Sequence, residues 1–387
     1  MSVPAPDRDR LLADLAAMIR TPSVNSFGAA GGTPPEAAMA ELFARQLAGL
    51  GLEVDSHEVS AGRRNVWGRL RGSGGGPTVL LAGHLDTVGV AGYDAPFEPR
   101  IADGKIYGRG SCDMKAGLAA YLETIRLLQQ AGTPLAGDVI VAGVVDEEHG
   151  MLGSRHFGRH GPPVDCAIVA EPSGLAVCPA HKGQICFSIT TRGVSAHSST
   201  PALGVNAIWH MTHVLSGLHA LAADLQQRTP DPVCGTPSLS VGVIAGGANA
   251  SSVPDICRID VDRRTIPGET LATVRAEIDA VLATVAAQHP DFNATVSPPD
   301  IEVPPFSTPH SAPIVASLLH ACHAVTGAPP VVAAFTGSTD APNFDCPAVI
   351  CGAGALAQCH SLNEFIDIEE LVDAVQIYVR TLQHLQP

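Results

Sequence analysis

Residues 77–88 read Pro-Thr-Val-Leu-Leu-Ala-Gly-His-Leu-Asp-Thr-Val. A short apolar run ends on a histidine, His84, and two residues later on a carboxylate, Asp86. A run of this length behind a proline predicts a strand buried on both faces. The pattern recurs. Asp138–Val145 is a second buried strand, D-V-I-V-A-G-V-V, and runs into D-E-E-H-G at 146–150. Asp165–Ala170 is a third and runs into Glu171. Between the first two lies a helix from about Met114 to Gln130, closed by Gly132 and Pro134. Strands alternating with helices predict an α/β fold with a mostly parallel sheet covered on both faces.

Working outward, Leu11, Leu12, Leu15, Met18 and Ile19 recur at helical spacing, and so do Met39, Leu42, Phe43, Leu47 and Leu50 before Gly51. The Gly72–Gly76 stretch lacks the G-x-G-x-x-G spacing and reads as a hairpin or loop. The middle of the chain changes character. Gln184–Thr191, Ser238–Ala245 and Ile256–Asp262 are strand-like; Val205–Leu225 and Glu269–Ala287 are helical. The tail returns to the first pattern, with a helix near Ala312–Thr326, a strand at Pro347–Cys351 and a closing helix from Ile368. The expected organisation is a catalytic domain of residues 1–176 and 297–387, interrupted by a smaller α+β domain of residues 177–296.

Composition narrows the function. A chain of 387 residues fits two domains, and 45% apolar residues suffice for a large core. The formal charge of −15 argues against nucleic acid, which asks for clustered Lys and Arg. The opening carries Asp7, Arg8, Asp9 and Arg10 where a secretory signal needs an apolar run, and no apolar stretch reaches the ~18 residues of a membrane span. Ten Cys without a C-x-x-C pair read as small buried residues of a reduced compartment. The expected location is therefore cytoplasmic, with no membrane partner.

The chemistry lies in where His and carboxylates fall. His84 and Asp86 follow the first buried strand. Asp113 precedes the long helix, in G-R-G-S-C-D-M-K. Glu147 and Glu148 follow the second strand, Glu171 the third, and His360 the late strand, in A-L-A-Q-C-H-S. Ligand sites of open parallel sheets lie at the carboxyl ends of the strands, so these residues are expected on one edge. Two His and three carboxylates can hold two divalent ions about 3.5–4 Å apart with a water between them. Asp86 is placed to accept the second ring N–H of His84. Within the adjacent pair Glu147–Glu148, one can bind metal while the other serves as general base.

These segments, running from Gly83 to Phe365, resemble the acetylornithine deacetylase / succinyl-diaminopimelate desuccinylase family, which also holds aminoacylases, carboxypeptidase G and dipeptidases. The resemblance implies a zinc-peptidase-like catalytic domain with an inserted lid or dimerisation domain, and a homodimer formed through that insert. It implies two divalent ions, zinc foremost with cobalt or manganese as alternatives. Asp113 would bridge them, His84 and Glu171 would complete one, and Glu148 and His360 the other. Glu147 would be the general base and Asp86 the carboxylate partner of the His84 ring, and the Asp113–Met114 peptide would be cis. In the insert, T-R-G-V-S-A-H-S-S-T-P matches a segment whose His, here His197, stabilises an oxyanion, in cis or in trans. G-G-A-N-A-S-S-V-P matches one whose Asn, here Asn249, approaches the substrate. D-V-D-R-R-T-I-P-G-E matches one whose Arg, here Arg264, grips a substrate carboxylate, a role suited to a planar guanidinium. G-A-G-A-L around Gly354 resembles a loop whose backbone contacts the same end of the substrate. His149, His156 and His160 read as a solvated helix face, and Lys182 as a solvated loop residue.

The expected activity is hydrolysis of the amide bond of a small N-acyl amino acid. Carboxypeptidase or dipeptidase action is the alternative within the family. A non-catalytic metal-binding scaffold is a rival of another class, opposed by the intact Glu147–Glu148 pair. A nucleotide-using α/β enzyme is another, opposed by the lack of a phosphate loop after any strand.

Overall fold

The computed structural model describes residues 4–26, 36–132 and 135–385; Pro134, expected to close a helix, lies outside them. The chain divides into two units, Met1–Ala180 with Thr308–Pro387, and His181–Ser307.

In the first unit the three apolar runs form Val79–His84, Val139–Val144 and Cys166–Pro172, each buried along its whole length. They pair in parallel in the order Val139–Val144, Val79–His84, Cys166–Pro172, followed by Ala348–Gly352. His84 pairs with Val144, so these two strands end level. Antiparallel strands flank this core. On one side is the hairpin Glu53–Ser60 and Arg63–Leu70, and on the other Val177–His181. The hairpin has no counterpart among the sequence expectations, because Glu53–Ser60 is polar and largely exposed and offers no apolar face to read.

Helix Lys115–Ala131 packs against this sheet with most of its length buried and ends on Gly132 in the left-handed conformation. Two glycines allow its close approach. A Cβ at Gly83 would stand 2.6 Å from Met114 Cε, and one at Gly117 would stand 2.6 Å from Ala170 Cβ. Arg8–Ile19, Ala37–Gly49, Pro313–Thr326 and Ile368–Leu385 supply the remaining apolar helix faces of the core, including Leu15, Phe43, Leu318 and Val375. The fold is α/β with a mainly parallel sheet.

The second unit is an antiparallel sheet in the order Ser238–Gly246, Ile256–Thr265, Gly183–Arg192, Asn293–Val296, with Ile301–Val303 also on Gly183–Arg192. Ile256–Thr265 alternates strictly, and its inward residues Cys257, Ile259 and Val261 meet Met211 and Val214 of helix Ala207–Leu225 and Val274 and Ile278 of helix Leu271–Gln288. One covered face and one open face is the α+β pattern. The unit borders fall four residues later (180 against 176) and eleven residues later (307 against 296) than the composition shifts suggested. Pairing explains both offsets: Val177–His181 joins the first unit's sheet at Cys178–Ile350, and Ile301–Val303 joins the second unit's sheet at Gln184–Cys186.

Candidate metal centre

The ends of four strands of the first unit or the segments following them, and the turn before helix Lys115–Ala131, bring together His84, Glu147, Glu148, Glu171, His360 and Asp113. Donor atoms of His84, Asp113 and Glu148 lie within 4.8 Å of one another. The two oxygens of Asp113 face different imidazoles: Oδ1 is 3.1 Å from His84 Nε2 and Oδ2 is 3.4 Å from His360 Nε2. Glu171 Oε1 stands 3.7 Å from His84 Nε2, and Glu148 Oε2 stands 3.2 Å from His360 Nε2. The donors therefore fall into two groups with Asp113 between them. Glu147 Oε2 lies 4.0 Å from His84 Nε2. The Asp113–Met114 peptide is cis.

The ring of His84 is oriented by a main-chain group. Nδ1 donates to the Asp86 carbonyl oxygen at 2.9 Å, while the Asp86 carboxylate is 3.6 Å away. Holding the proton on Nδ1 leaves the Nε2 lone pair facing Asp113 and Glu171. The Asp86 carboxylate was expected to take this bond. It instead braces the Glu147–Glu148 loop, accepting from Glu147 N at 3.2 Å, Glu148 N at 3.1 Å and Asn25 Nδ2 at 2.7 Å.

Comparisons with known proteins agree with this layout. The model of peptidase family M20/M25/M40 matches residues 80–384. The acetylornithine deacetylase of Edwardsiella ictaluri is 32% identical over 384 residues, covering 95% of this chain and 96% of the relative. That of Vibrio vulnificus is 32% identical over 357 residues, covering 89% and 91%. The chain belongs to peptidase family M20/M25/M40. Among solved structures, aminopeptidase PepT of Bacillus cereus superposes with a TM-score of 0.81 at 22% identity, covering 98% of this chain and 99% of that one. The M20 family metallo-carboxypeptidase Sso-CP2 of Sulfolobus solfataricus gives 0.79 at 18% identity, covering 97% and 99%; both likenesses concern the fold. Membership makes this M20 chain a metal-dependent hydrolase of the amidohydrolase and peptidase type.

The electrostatics of this M20 centre explain the metal dependence. Burial lifts Glu147 and Glu171 well above the usual carboxylate range. Burial, then the charge on Asp113, pushes Glu148 up to about 7. Burial would raise Asp113 too, but hydrogen bonds with His360 and His84 outweigh it and hold that carboxyl well below its ordinary value. Burial works to lower His84, yet the surrounding carboxylates raise it, and contacts with Asp113 and Glu148 take His360 up to about 10. Fully ionised, the four carboxylates would outnumber the two imidazoles, so without a cation the site holds protons instead. Glu171 Oε1 is buried with no hydrogen-bond partner among the described residues, which is costly unless a cation meets it. The residues fit divalent metal.

Two carboxylates escaped the sequence reading. Asp340 is buried, hydrogen-bonded by Ser154, pushed up to about 7 first by burial, and acts electrostatically on both Glu147 and Glu171. Glu364 accepts from Gly110 N at 3.0 Å, Cys112 N at 2.8 Å and Asp113 N at 3.0 Å, and pairs with Arg109 Nη1 at 2.6 Å. It fixes the loop that carries Asp113. Both come from irregular segments, where no periodicity marks a buried acid.

The remaining expected residues lie elsewhere. Gly354 is buried in the first unit at φ +90, with its N–H donated to Glu370 Oε1 at 3.1 Å and its carbonyl accepting from Gly174 N at 2.7 Å. Its N–H is engaged within the fold, while its carbonyl oxygen keeps a second lone pair. In the second unit, His197 and Ser252 pair across a short two-stranded ladder, and Asn249 Oδ1 accepts from Ser251 N and Ser252 Oγ, so these two candidates share one surface. Arg263 points inward to Glu269 and Glu277, and Arg264 outward, held by Asp262 at 2.9 Å through Nε and 3.1 Å through Nη2.

Proposed function

We propose that the chain hydrolyses the amide bond of a small N-acyl amino acid bearing a free carboxylate, in the manner of an acetylornithine deacetylase, on two divalent ions. The observation that carries this reading is Asp113, whose two oxygens face two separate groups of donors. His84 and Glu171 would hold one ion, Glu148 and His360 the other, and Asp113 both. Zinc suits this mixed imidazole and carboxylate set, as do cobalt and manganese. Bound there, the pair supplies Lewis-acid polarisation of the amide carbonyl and acidifies a water to near neutrality.

The rest is done by side chains. Glu147 accepts the proton of the attacking water and delivers it to the leaving amine; the proton affinity that burial gives it suits a group that must hold a proton between two transfers. Asp86 keeps Glu147 in place through the loop amides. His197 Nδ1 accepts from Ser199 N at 3.1 Å, so the neutral ring carries its proton on Nε2, an outward donor for a developing oxyanion. Arg264 would receive the substrate carboxylate, with Asp262 presetting its guanidinium. A homodimer is supported by the edge strand Ser238–Gly246, which exposes Val243 and Ile244, and by the exposed Trp209. No described helix is long and apolar enough to cross a membrane, and a cytoplasmic location is proposed with the rest.

The test is the zinc-reconstituted chain assayed against N-acetyl and N-succinyl amino acids, their carboxamide counterparts, and dipeptides. Faster turnover of N-acyl amino acids with a free carboxylate is expected. Faster cleavage of dipeptides would move the chain to the peptidase side of the family, and no hydrolysis with full metal content would leave a metal-binding scaffold.

A further inference from the structure

The hairpin strand Arg63–Leu70 runs antiparallel to Val139–Val144, with Val66 opposite Gly143 and Trp67 opposite Ala142. Continued by three residues, that register sets Arg63 opposite Asp146, the residue before Glu147. Arg63 Nη2 meets Asp146 Oδ1 at 2.7 Å. Its Nε donates to both oxygens of the buried Glu36, at 3.1 and 3.0 Å. The same Asp146 oxygen accepts from Asn25 Nδ2 at 3.1 Å, and Asn25 Nδ2 also reaches Asp86 Oδ2 at 2.7 Å. Asp86 in turn accepts from the Glu147 and Glu148 amides. A continuous chain of polar contacts thus runs from the hairpin to the loop that bears both glutamates. Asn65, two residues beyond Arg63, clamps that loop at its ends: it accepts from Val145 N at 3.1 Å and donates to the Gly153 carbonyl oxygen at 2.7 Å.

We propose that Arg63 is a positioning residue for the hydrolytic reaction, holding the Glu147–Glu148 loop in its working geometry through Asp146 and Asn25; the inference rests on the roles given above to those two glutamates. Asp146 sits at φ +72, in the left-handed region that a non-glycine residue holds only where its surroundings fix it. Its carbonyl oxygen accepts from Gly150 N at 3.0 Å and Met151 N at 2.6 Å, so this conformation starts the turn. Its buried carboxylate shares the Asn25 amide with the buried carboxylate of Asp86, and Arg63 is the cation that pairs with it among the described residues. Without Arg63 the two acids would repel across one amide group. Asp146 would leave its conformation, and Glu147, the next residue, would move with it. A guanidinium suits the post because its planar fork meets Glu36 and Asp146 at once, which the single ammonium of a lysine cannot do in the same geometry. Arg63 acts through Asp146, so its removal lowers turnover and metal affinity rather than substrate binding.

The experiment compares the zinc-loaded wild type with Arg63→Lys and with the double variant Arg63→Met/Glu36→Gln, in which the cation and one of its acids go together so that the chain keeps its fold. Arg69→Met, on the same hairpin but paired with Asp138, is the control. All are assayed on the fastest substrate of the panel above. In the double variant kcat per folded molecule should fall about tenfold with KM changed by less than about twofold, and the zinc affinity of the metal-free chain, read by chelator competition, should weaken about tenfold. Arg63→Lys should lie between the double variant and the wild type, and Arg69→Met should match the wild type. Wild-type kcat and zinc affinity in the double variant, whatever its melting temperature, would overturn the inference and leave Arg63 a stabilising residue only. Normal kcat in Glu147→Ala would instead remove the roles on which the inference rests.

Discussion

Each unit of this chain buries a cluster of charges, and the two clusters differ in whether those charges balance. In the second unit Arg263, wholly buried, meets Glu269 at 2.9 Å and Glu277 at 3.2 Å, and Arg228 meets the same two acids at 3.4 and 2.5 Å. Two guanidiniums face two buried carboxylates, and the exposed Asp224 meets Arg228 from outside at 3.1 Å. In the first unit His84 and His360 face Asp113, Glu147, Glu148 and Glu171, with Asp86 and Asp340 close behind. A balanced cluster is complete and serves structure. An unbalanced one is stable only when something positive is added, and in a metal-dependent family that marks the working centre.

The sharpest way to break the contrast is Glu147→Ala. It removes one surplus acid that holds no metal in the proposed scheme. Turnover should fall by about 10²–10⁴-fold, the usual contribution of a general base, with metal content by atomic absorption unchanged. Unchanged kcat would remove Glu147 from the chemistry. In the balanced cluster Arg263→Met strips a cation from two buried acids and should cost about 3–5 kcal/mol in denaturant unfolding. Pairing it with Glu277→Leu should recover most of that loss, since replacing a buried ion pair by apolar groups is nearly neutral. Hydrolysis per folded molecule should not change in either variant.

Imbalance also predicts a pH dependence. Glu148 and Asp340 are both pushed up to about 7, from 4.5 and 3.8. Between roughly pH 4.5 and 7 the native metal-free chain therefore binds more protons than the unfolded chain, and its stability should fall as pH rises through that window. Metal competes with those protons, so the gain in melting temperature on adding zinc should grow over the same window. Asp340→Asn should flatten the metal-free profile. A metal-free melting temperature that rises from pH 5 to 7 would contradict the assignment.

The contrast also explains what could be read from the sequence. His84, Glu147 and Glu171 end or follow runs of apolar residues, and such runs are visible because burial on both faces leaves no polar position. Asp113 and His360 were reached through the motifs around them. Asp340 and Glu364 act from loops, where a buried acid looks like any solvated one, and the hairpin Glu53–Leu70 hid because its outer strand is exposed. Alternation alone says only that Arg263 and Arg264 face opposite sides; Arg264 was singled out through its motif, and Arg263 is the inward one. The main-chain hydrogen bonds of Gly354 leave no trace in side-chain identity.

Asn249 gives the smallest expected effect and separates two roles that its position alone leaves mixed. Its Oδ1 holds the exposed turn at Ser251 and Ser252, and its Nδ2 has no partner among the described residues. Hydrogen bonds in so exposed a turn are worth little, so Asn249→Ala should cost under about 1 kcal/mol in urea unfolding. Asn249→Asp keeps the accepting oxygen and so the turn, but removes the outward donor. If the side chain meets substrate, both variants should lower kcat/KM about tenfold while Asn249→Asp unfolds like the wild type. If it is only a cap, Asn249→Asp should match the wild type in both measurements, and Asn249 would leave the proposed set of substrate contacts.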